Sequence, residues 1–407
     1  MINFDNSFFF DKDCLNFKNN SKFHNNFEKT KKIAENLKKE LEKGENEILS
    51  SFTSKYQENI RKIQKEIDTN SKKKVIVGFG GSSSGAKALS FFIKDELVFL
   101  DNLDYAYLKD FFIKKKIEEH FFFVVSKSGE TFETLAILNL LIDESKNIKD
   151  FNLFQSMIII TDNNDSTLYN FAIKNKIKVV EHNSNIGGRF SVLSETGILP
   201  FIDHKLKVEN ASEKYIDFLI SDFNNNLNPV LNVALLATII QEMHIKIYCN
   251  LLYNYRLKHF SYWFHQLHAE SLGKNKQGLT PTTSVCPKDH HSMMQLYLDG
   301  PKDKFFNIFS PPDKKFFEKF RNENFYSIEN YDPNSLLNKQ YNSVIEIFRS
   351  KKIPHRVINI KDCSDPMNLI ELFSYFLLET ILLGKVFDIN PYDQPSVQLI
   401  KEKIFKN

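Results

Sequence analysis

Residues 75–89 read VIVGFGGSSSGAKAL. A short apolar run enters a turn of glycines and serines, and a helical pattern follows. The same grammar returns at 120–141, where the apolar run His120–Val125 leads into SKSGETFET and a second helix through Leu141. Further short apolar runs at Met157–Thr161 and Ile177–Glu181 alternate with helical periods, one starting near Ser166. Few folds accommodate strands that alternate with helices in this way. A parallel sheet buried by helices on both faces is the one expected. In such sheets ligands collect at the carboxyl ends of the strands, where both glycine–serine turns fall.

Beyond Pro200 the alternation continues with longer helices. Two are expected over 208–248, then a strand near Leu251–Tyr255 and a helix through Trp263–Ser271. Strands at Phe305–Phe309 and Arg356–Ile360 follow, with helices over Ser343–Arg349 and Met367–Leu383. The first helix is expected over Ala86–Ile93, after the glycine–serine turn. The fold class is therefore α/β, with two three-layer αβα domains of mainly parallel sheet. The expected divisions are an N-terminal helical segment at 1–70, a first domain at 71–205, a second at 206–389 and a C-terminal helical arm at 390–407.

Composition narrows the class of function. The net charge of +3 in 407 residues, with lysines and acids interleaved, does not suggest a nucleic-acid partner. The most apolar windows, 231–240 and 372–387, are short or interrupted by Glu379. A spanning helix needs about 20 apolar residues, so no membrane partner is expected. The start, MINFDNSFFFDKDC, lacks the basic opening of a secretion signal. Cys14, Cys249, Cys286 and Cys363 form no CxxC pair. That favours reduced thiols in a cytoplasmic protein over a disulfide framework or a zinc site.

Two familiar phosphate loops fail on spacing. The dinucleotide fingerprint GxGxxG would need glycine at Ser83. Walker A would need lysine at Ala86, and Lys87 comes one place late. The glycines, Gly81 among them, still let backbone approach a ligand closely, Ser82 and its neighbours offer hydroxyls, and the positive end of the helix that follows suits an anion. In the second turn Ser126, Ser128, Thr131 and Thr134 supply four hydroxyls, and Thr131 and Thr134 share one helix face. Helix capping would explain one or two of these. Four suit a phosphate monoester better than a polyphosphate, which would also ask for a metal-binding acid.

GFGGSSSGAKAL and SKSGETFET resemble the sugar-phosphate loops of the sugar isomerase (SIS) fold. Four more stretches resemble signatures of one member, the phosphoglucose isomerase family, in its order: IGGRFSVLSETGILP at 186–200, QLHAESLGK at 266–274, HHSMMQLYLDGP at 290–301 and NPYDQPSVQLIK at 390–401. The first loop departs from the family's GGSxLGP at Ser84 and Ala86. The stretch before the histidines reads TTSVCPKDH where the family is richer in glycine.

The resemblance implies an aldose–ketose isomerase that moves a proton between C1 and C2 of a hexose 6-phosphate, glucose 6-phosphate to fructose 6-phosphate, through a cis-enediol. It assigns Glu270 as the base, Arg189 to the enediol charge, and His291 and Lys401 to ring opening, with Glu133 orienting the histidine. Gly81, Ser82, Ser126, Lys127, Ser128, Thr131, Thr134, Gln266 and Gln394 would hold the substrate. It further implies a homodimer with shared sites. His265 and His268 lie at i, i+3 ahead of Glu270, but without an HExxH pattern they are read as structural. Proton transfer of this kind calls for neither metal nor cofactor. An isomerase of another hexose phosphate, and a non-catalytic sugar-phosphate sensor built on the same fold, stay open as alternatives.

Overall fold

The structure is a computed structural model that describes residues 2–69, 72–114, 116–220, 225–312, 332–360, 362 and 365–404. The strands among them are β1 (Ile2–Asp5), β2 (Lys73–Val77), β3 (Val98–Leu100), β4 (His120–Val125), β5 (Met157–Thr161), β6 (Lys178–Glu181), β7 (Ile247–Leu252), β8 (Thr280–Val285), β9 (Lys304–Phe309) and β10 (His355–Ile360). The chain divides into two compact units, Glu40–Glu213 and a second made of Met1–Lys39 with Lys214–Asn407.

In the Glu40–Glu213 unit the sheet order is β3-β2-β4-β5-β6, parallel throughout. Successive residues of a strand point to opposite faces, yet both faces are apolar and buried. Val75, Val77, Phe122, Val124 and Ile159 pack with Ile137, Leu138 and Leu141 of the helix Phe132–Ser145 on one side. Ile76, Phe123, Val125, Ile158 and Ile160, on the other, are as fully buried. Such continuous apolar runs are how a parallel sheet with two covered faces reads. The order reverses between β2 and β4. In open α/β sheets ligands bind at the carboxyl ends of the strands flanking such a switch point, and the two glycine–serine turns directly follow β2 and β4.

In the other unit the order is β1-β10-β9-β7-β8, parallel except for β1. The helix Lys258–Leu272 packs on the helix Pro366–Val386 and on β8. Tyr341, Val344 and Phe348 of the helix Pro333–Ser350 meet Phe306, Ile308 and Val357 of the sheet.

The α/β class and mainly parallel sheets are as the alternation predicts, with local differences. The strand expected near Leu251–Tyr255 is β7, four residues earlier, because His244 adopts a left-handed conformation (φ 52°) and ends the preceding helix at Met243. β8, to which the sequence pattern assigns no element, is an edge strand, where Pro281 costs no central ladder bond. β1 and β3, also edge strands, are too short for a periodicity signal.

Candidate active site

The helix after the first turn begins at Gly81, earlier than the expected Ala86. Gly80 precedes it at φ 57°, ψ −125°, a backbone open in practice only to glycine. Ser82, Ser83 and Ser84 therefore form the helix's first turn. Their amides turn back to the carbonyls of Phe79 and Gly80 at 2.9–3.2 Å. What this end offers an anion is thus the positive pole of the helix and its hydroxyls, more than a row of bare amides.

Gly81 is required for a different reason. A Cβ there would stand 2.1 Å from the carbonyl carbon and oxygen of Gly188. Two backbones touch at this point, so the turn Gly188–Leu193, which carries Arg189, lies directly against the start of the helix. Val192 fills the space beside Gly85, and Ser191 Oγ donates to Gly188 O at 2.7 Å. Arg189 is 2% exposed, with its guanidinium 5.2 Å from the centre of the Phe190 ring.

The second turn abuts the first, since a Cβ on Gly78 would meet Val125 O at 3.0 Å. Ser126 continues β4 by donating its amide to Ile160 O at 3.0 Å, and its hydroxyl donates to Thr131 Oγ1 at 2.8 Å. Thr131 is the N-cap residue of the helix Phe132–Ser145, but its side chain makes no cap bond. Gly129 holds φ 66° against Ser166, and Ser128 is exposed at the rim. Thr134 is fully buried, and its Oγ1 has no hydrogen-bond partner among the described residues. A buried hydroxyl without a partner costs free energy. It lies in the first turn of that helix, next to the second glycine–serine turn. Glu133 lies in the first turn of the same helix, half-buried.

Lys127 and Arg189 bring two cations within electrostatic reach of one another. Burial lowers the Lys127 pKa, Asp162 pulls it back up, and Arg189 lowers it further. Asp162, at the carboxyl end of β5, is raised by burial against the opposing pull of His182 and Lys127. Its amide donates to Lys127 O at 3.0 Å, and its Oδ1 lacks a hydrogen-bond partner among the described residues.

The second unit holds the other candidates. Phe260, Trp263, Phe264 and Leu267 bury one face of the helix Lys258–Leu272, leaving Gln266 and Glu270 half-buried one turn apart. Gln266 Nε2 donates to Glu270 Oε2 at 3.2 Å, which points the carboxylate along the helix. Past the helix end, Lys274 Nζ donates to Asp393 Oδ1 at 2.7 Å, to Asp393 O at 2.6 Å and to Asn390 O. The hydrogen bond from Lys274 is the leading cause of the lowered Asp393 pKa. One lysine thus ties the end of the Glu270 helix to the segment that bears Gln394 and opens the helix Pro395–Ile404. Lys401 belongs to that helix; its side chain lies outside the described residues.

The two histidines part company. Tyr253 OH hydrogen-bonds His290 Nε2 at 2.7 Å, and burial first, then His291, lowers the His290 pKa. His291 is exposed on the short helix Lys288–His291. Asp289 braces that turn by accepting from Val285 N at 2.7 Å. His265 bonds Thr283 Oγ1 at 2.7 Å, and His268 is buried in the core. Neither joins a metal-binding cluster among the described residues.

The candidates thus fall into two groups. Gly81, Ser82, Ser126, Lys127, Ser128, Thr131, Thr134 and Arg189 gather at one switch point; Gln266, Glu270 and the Gln394 segment are tied in the other unit. Sequence reasoning missed Asp162, His182, Glu195 and Lys274. Lys274 lay inside a recognised motif, and Asp162 directly follows a buried strand, but neither spacing nor composition says what each touches.

Comparison with known proteins bears on family and fold. The family profile described as Phosphoglucose isomerase matches residues 31–286. A glucose-6-phosphate isomerase of Campylobacter jejuni is 32% identical over 82% of this chain and 84% of its own. One from Methanocaldococcus jannaschii is 28% identical over 88% of this chain and 89% of its own. Among solved structures, a hypothetical protein of Thermus thermophilus superposes with a TM-score of 0.82 at 23% identity, covering 100% of this chain and 99% of that one. A glucose-6-phosphate isomerase of Chlamydia trachomatis gives 0.72 at 19% identity, covering 87% of this chain and 73% of that one. Both share this fold.

Proposed function

The chain belongs to the phosphoglucose isomerase family, and on that premise we propose that it interconverts glucose 6-phosphate and fructose 6-phosphate. The observation that carries the substrate side is the pair of turns at the β2/β4 switch point, with the partnerless Thr134 hydroxyl and two cations beside them. Ser126, Ser128, Thr131 and Thr134, with Lys127 and the turn at Gly81–Ser82, take the phosphate. It lies at the far end of the sugar from the reacting carbons, so these contacts serve binding before chemistry.

Ring opening moves a proton from the C1 hydroxyl to the ring oxygen, and His291 with Lys401 performs it, Glu133 orienting the imidazole. An imidazole suits this because it exchanges protons near neutral pH. Glu270 then takes the proton from C2 of the open aldose while the C1 carbonyl oxygen takes up a proton, giving the cis-enediol. Return of the carbon-bound proton from Glu270 to C1, with loss of the proton on the C2 hydroxyl, gives the ketose, so one proton also passes from O2 to O1 overall. Negative charge develops on oxygen in between, and Arg189 faces it as a fixed cation. Gln266 and Gln394 hold sugar hydroxyls.

The proposal includes a homodimer with shared sites and a cytoplasmic setting. In support of the first, His291 is solvent-exposed on a single chain, as are Val397, Leu399 and Ile400 on the C-terminal helix. In support of the second, Cys14, Cys249 and Cys286 are free thiols, and no described helix is long and apolar enough to cross a membrane.

The test is turnover of fructose 6-phosphate by the purified protein and by Glu270→Gln. Loss of the base should lower the rate by about 10²- to 10⁴-fold while sugar-phosphate binding persists. Binding without turnover by the wild type would point to a sensor, and full activity in Glu270→Gln would reject the base.

A further inference from the structure

Behind Arg189 lies a buried polar triad to which the reaction as described assigns nothing. His182 follows β6 and continues its ladder, donating its amide to Thr161 O at 2.9 Å. Its side chain is 0% exposed and that of Glu195 is 4% exposed. The ring bonds two points of the same loop. Nε2 donates to Ile186 O at 3.0 Å, just before Gly187, and Nδ1 pairs with Glu195 Oε1, just after Ser194. The other carboxylate oxygen, Glu195 Oε2, accepts from Tyr56 OH at 2.6 Å. Tyr56 sits on the helix Ser54–Lys65, and the next residue, Gln57, donates to Leu193 O at 2.7 Å.

The triad therefore clasps both ends of the segment 182–195, which carries Gly187, Gly188 and Arg189. Charge supports the arrangement. Both ring nitrogens face oxygen, Nε2 toward Ile186 O and Nδ1 toward Glu195 Oε1. Asp162 stands within electrostatic reach of the same ring and of Lys127, with Glu195 and Glu181 as the other acids in range. Acidic and basic groups thus alternate from Lys127 through Asp162 and His182 to Glu195, beside Arg189.

We infer that the His182–Glu195–Tyr56 triad is a positioning device that holds the Arg189 guanidinium in place for the charge developing on the enediol. This rests on the isomerase reading above. A loop free at its base would spread Arg189 over many placements, and a fixed cation stabilises a transition state because it need not reorganise during the reaction. The triad touches no reacting atom, so its effect should fall on kcat.

The experiment compares Glu195→Ala, Glu195→Gln and Tyr56→Phe with the wild type on fructose 6-phosphate, alongside melting curves and the folded fraction of each. Glu195→Ala removes both anchors. Its kcat should fall about 10- to 100-fold while KM stays within about 2-fold. Glu195→Gln can still accept from Tyr56 and donate to a neutral His182, so it should recover most of the lost kcat. Tyr56→Phe keeps the ring and loses one anchor, and should show a smaller fall of the same kind. Unchanged kcat per folded molecule in Glu195→Ala overturns the inference, as does a Gln variant no better than Ala. If Glu195→Ala does not fold, Tyr56→Phe decides, and wild-type kcat there overturns it. A wild type that turns over no fructose 6-phosphate defeats the isomerase reading itself, a different result from any of these.

Discussion

Thr134 shows how one atom can separate stability from function. Its hydroxyl is buried without a hydrogen-bond partner among the described residues, at the start of the helix Phe132–Ser145. Valine has nearly the same shape and no hydroxyl. Thr134→Val should leave the unliganded protein as stable or more stable by up to about 1 kcal/mol, because an unsatisfied polar group is removed. On the proposed phosphate site it should also raise KM for the sugar phosphate about 10-fold. Urea titration and a KM measurement check the two signs together. Ser126 and Thr134 were legible in the sequence, because hydroxyls at fixed offsets from a strand end carry their own signal. Glu195 and Lys274 were not, since each matters through a residue remote in sequence: Tyr56 for Glu195, and Asp393 for Lys274.

Among the elements, the junction of the helix Gly81–Ile93 with the turn Gly188–Leu193 sets the geometry of the site. Helix propensity alone says that Gly81→Ala should stabilise by up to about 1 kcal/mol. Contact geometry says the reverse, since the new Cβ would lie 2.1 Å from the Gly188 carbonyl. Backbone cannot yield as a flexible side chain can, so the variant should lose about 2–4 kcal/mol of stability and shift Arg189. A lower urea midpoint together with reduced kcat is the expected result, and a raised midpoint would show that the two backbones are not in contact. The helix start was misplaced from sequence for a related reason. Serines in a first turn look like loop residues until the left-handed Gly80 ahead of them is seen.

At the scale of the whole molecule the buried charges govern acid stability. Arg356 and Glu379, each 2% exposed, pair at 2.6 Å in the core of the Met1–Lys39 and Lys214–Asn407 unit. Burial would raise the Glu379 pKa, but Arg356 and hydrogen bonds from Arg356, Tyr375 and Tyr248 outweigh it and hold the carboxyl low. Its contribution is present above the unfolded carboxyl range and is lost only as pH falls through the lowered folded value. Two histidines act sooner. Burial lowers both His268 and His355 to about 4, and their Nε2 atoms have no hydrogen-bond partner among the described residues. In the unfolded chain each takes a proton near pH 6.5, so the unfolded state binds more protons between about pH 6.5 and 4. Stability therefore falls as pH falls through that window, by roughly 3 kcal/mol per histidine at its foot. The urea midpoint should drop from pH 7 to pH 5. His268→Phe, which keeps the packing against Tyr248 and Phe264, should flatten that drop.

Periodicity and motif spacing determined the α/β class, the switch-point turns and the list of chemical groups, because these depend on residues close together along the chain. Tertiary structure decided which groups meet. The approach of Gly81 to Gly188, the anchoring of Glu195 by Tyr56, and the tether from Lys274 to Asp393 all join segments far apart in sequence. Edge strands as short as β1 and β3 belong on that side too. Three or four residues carry too little local pattern to declare themselves, and it is the neighbouring strand's hydrogen-bonding edge that makes them strands.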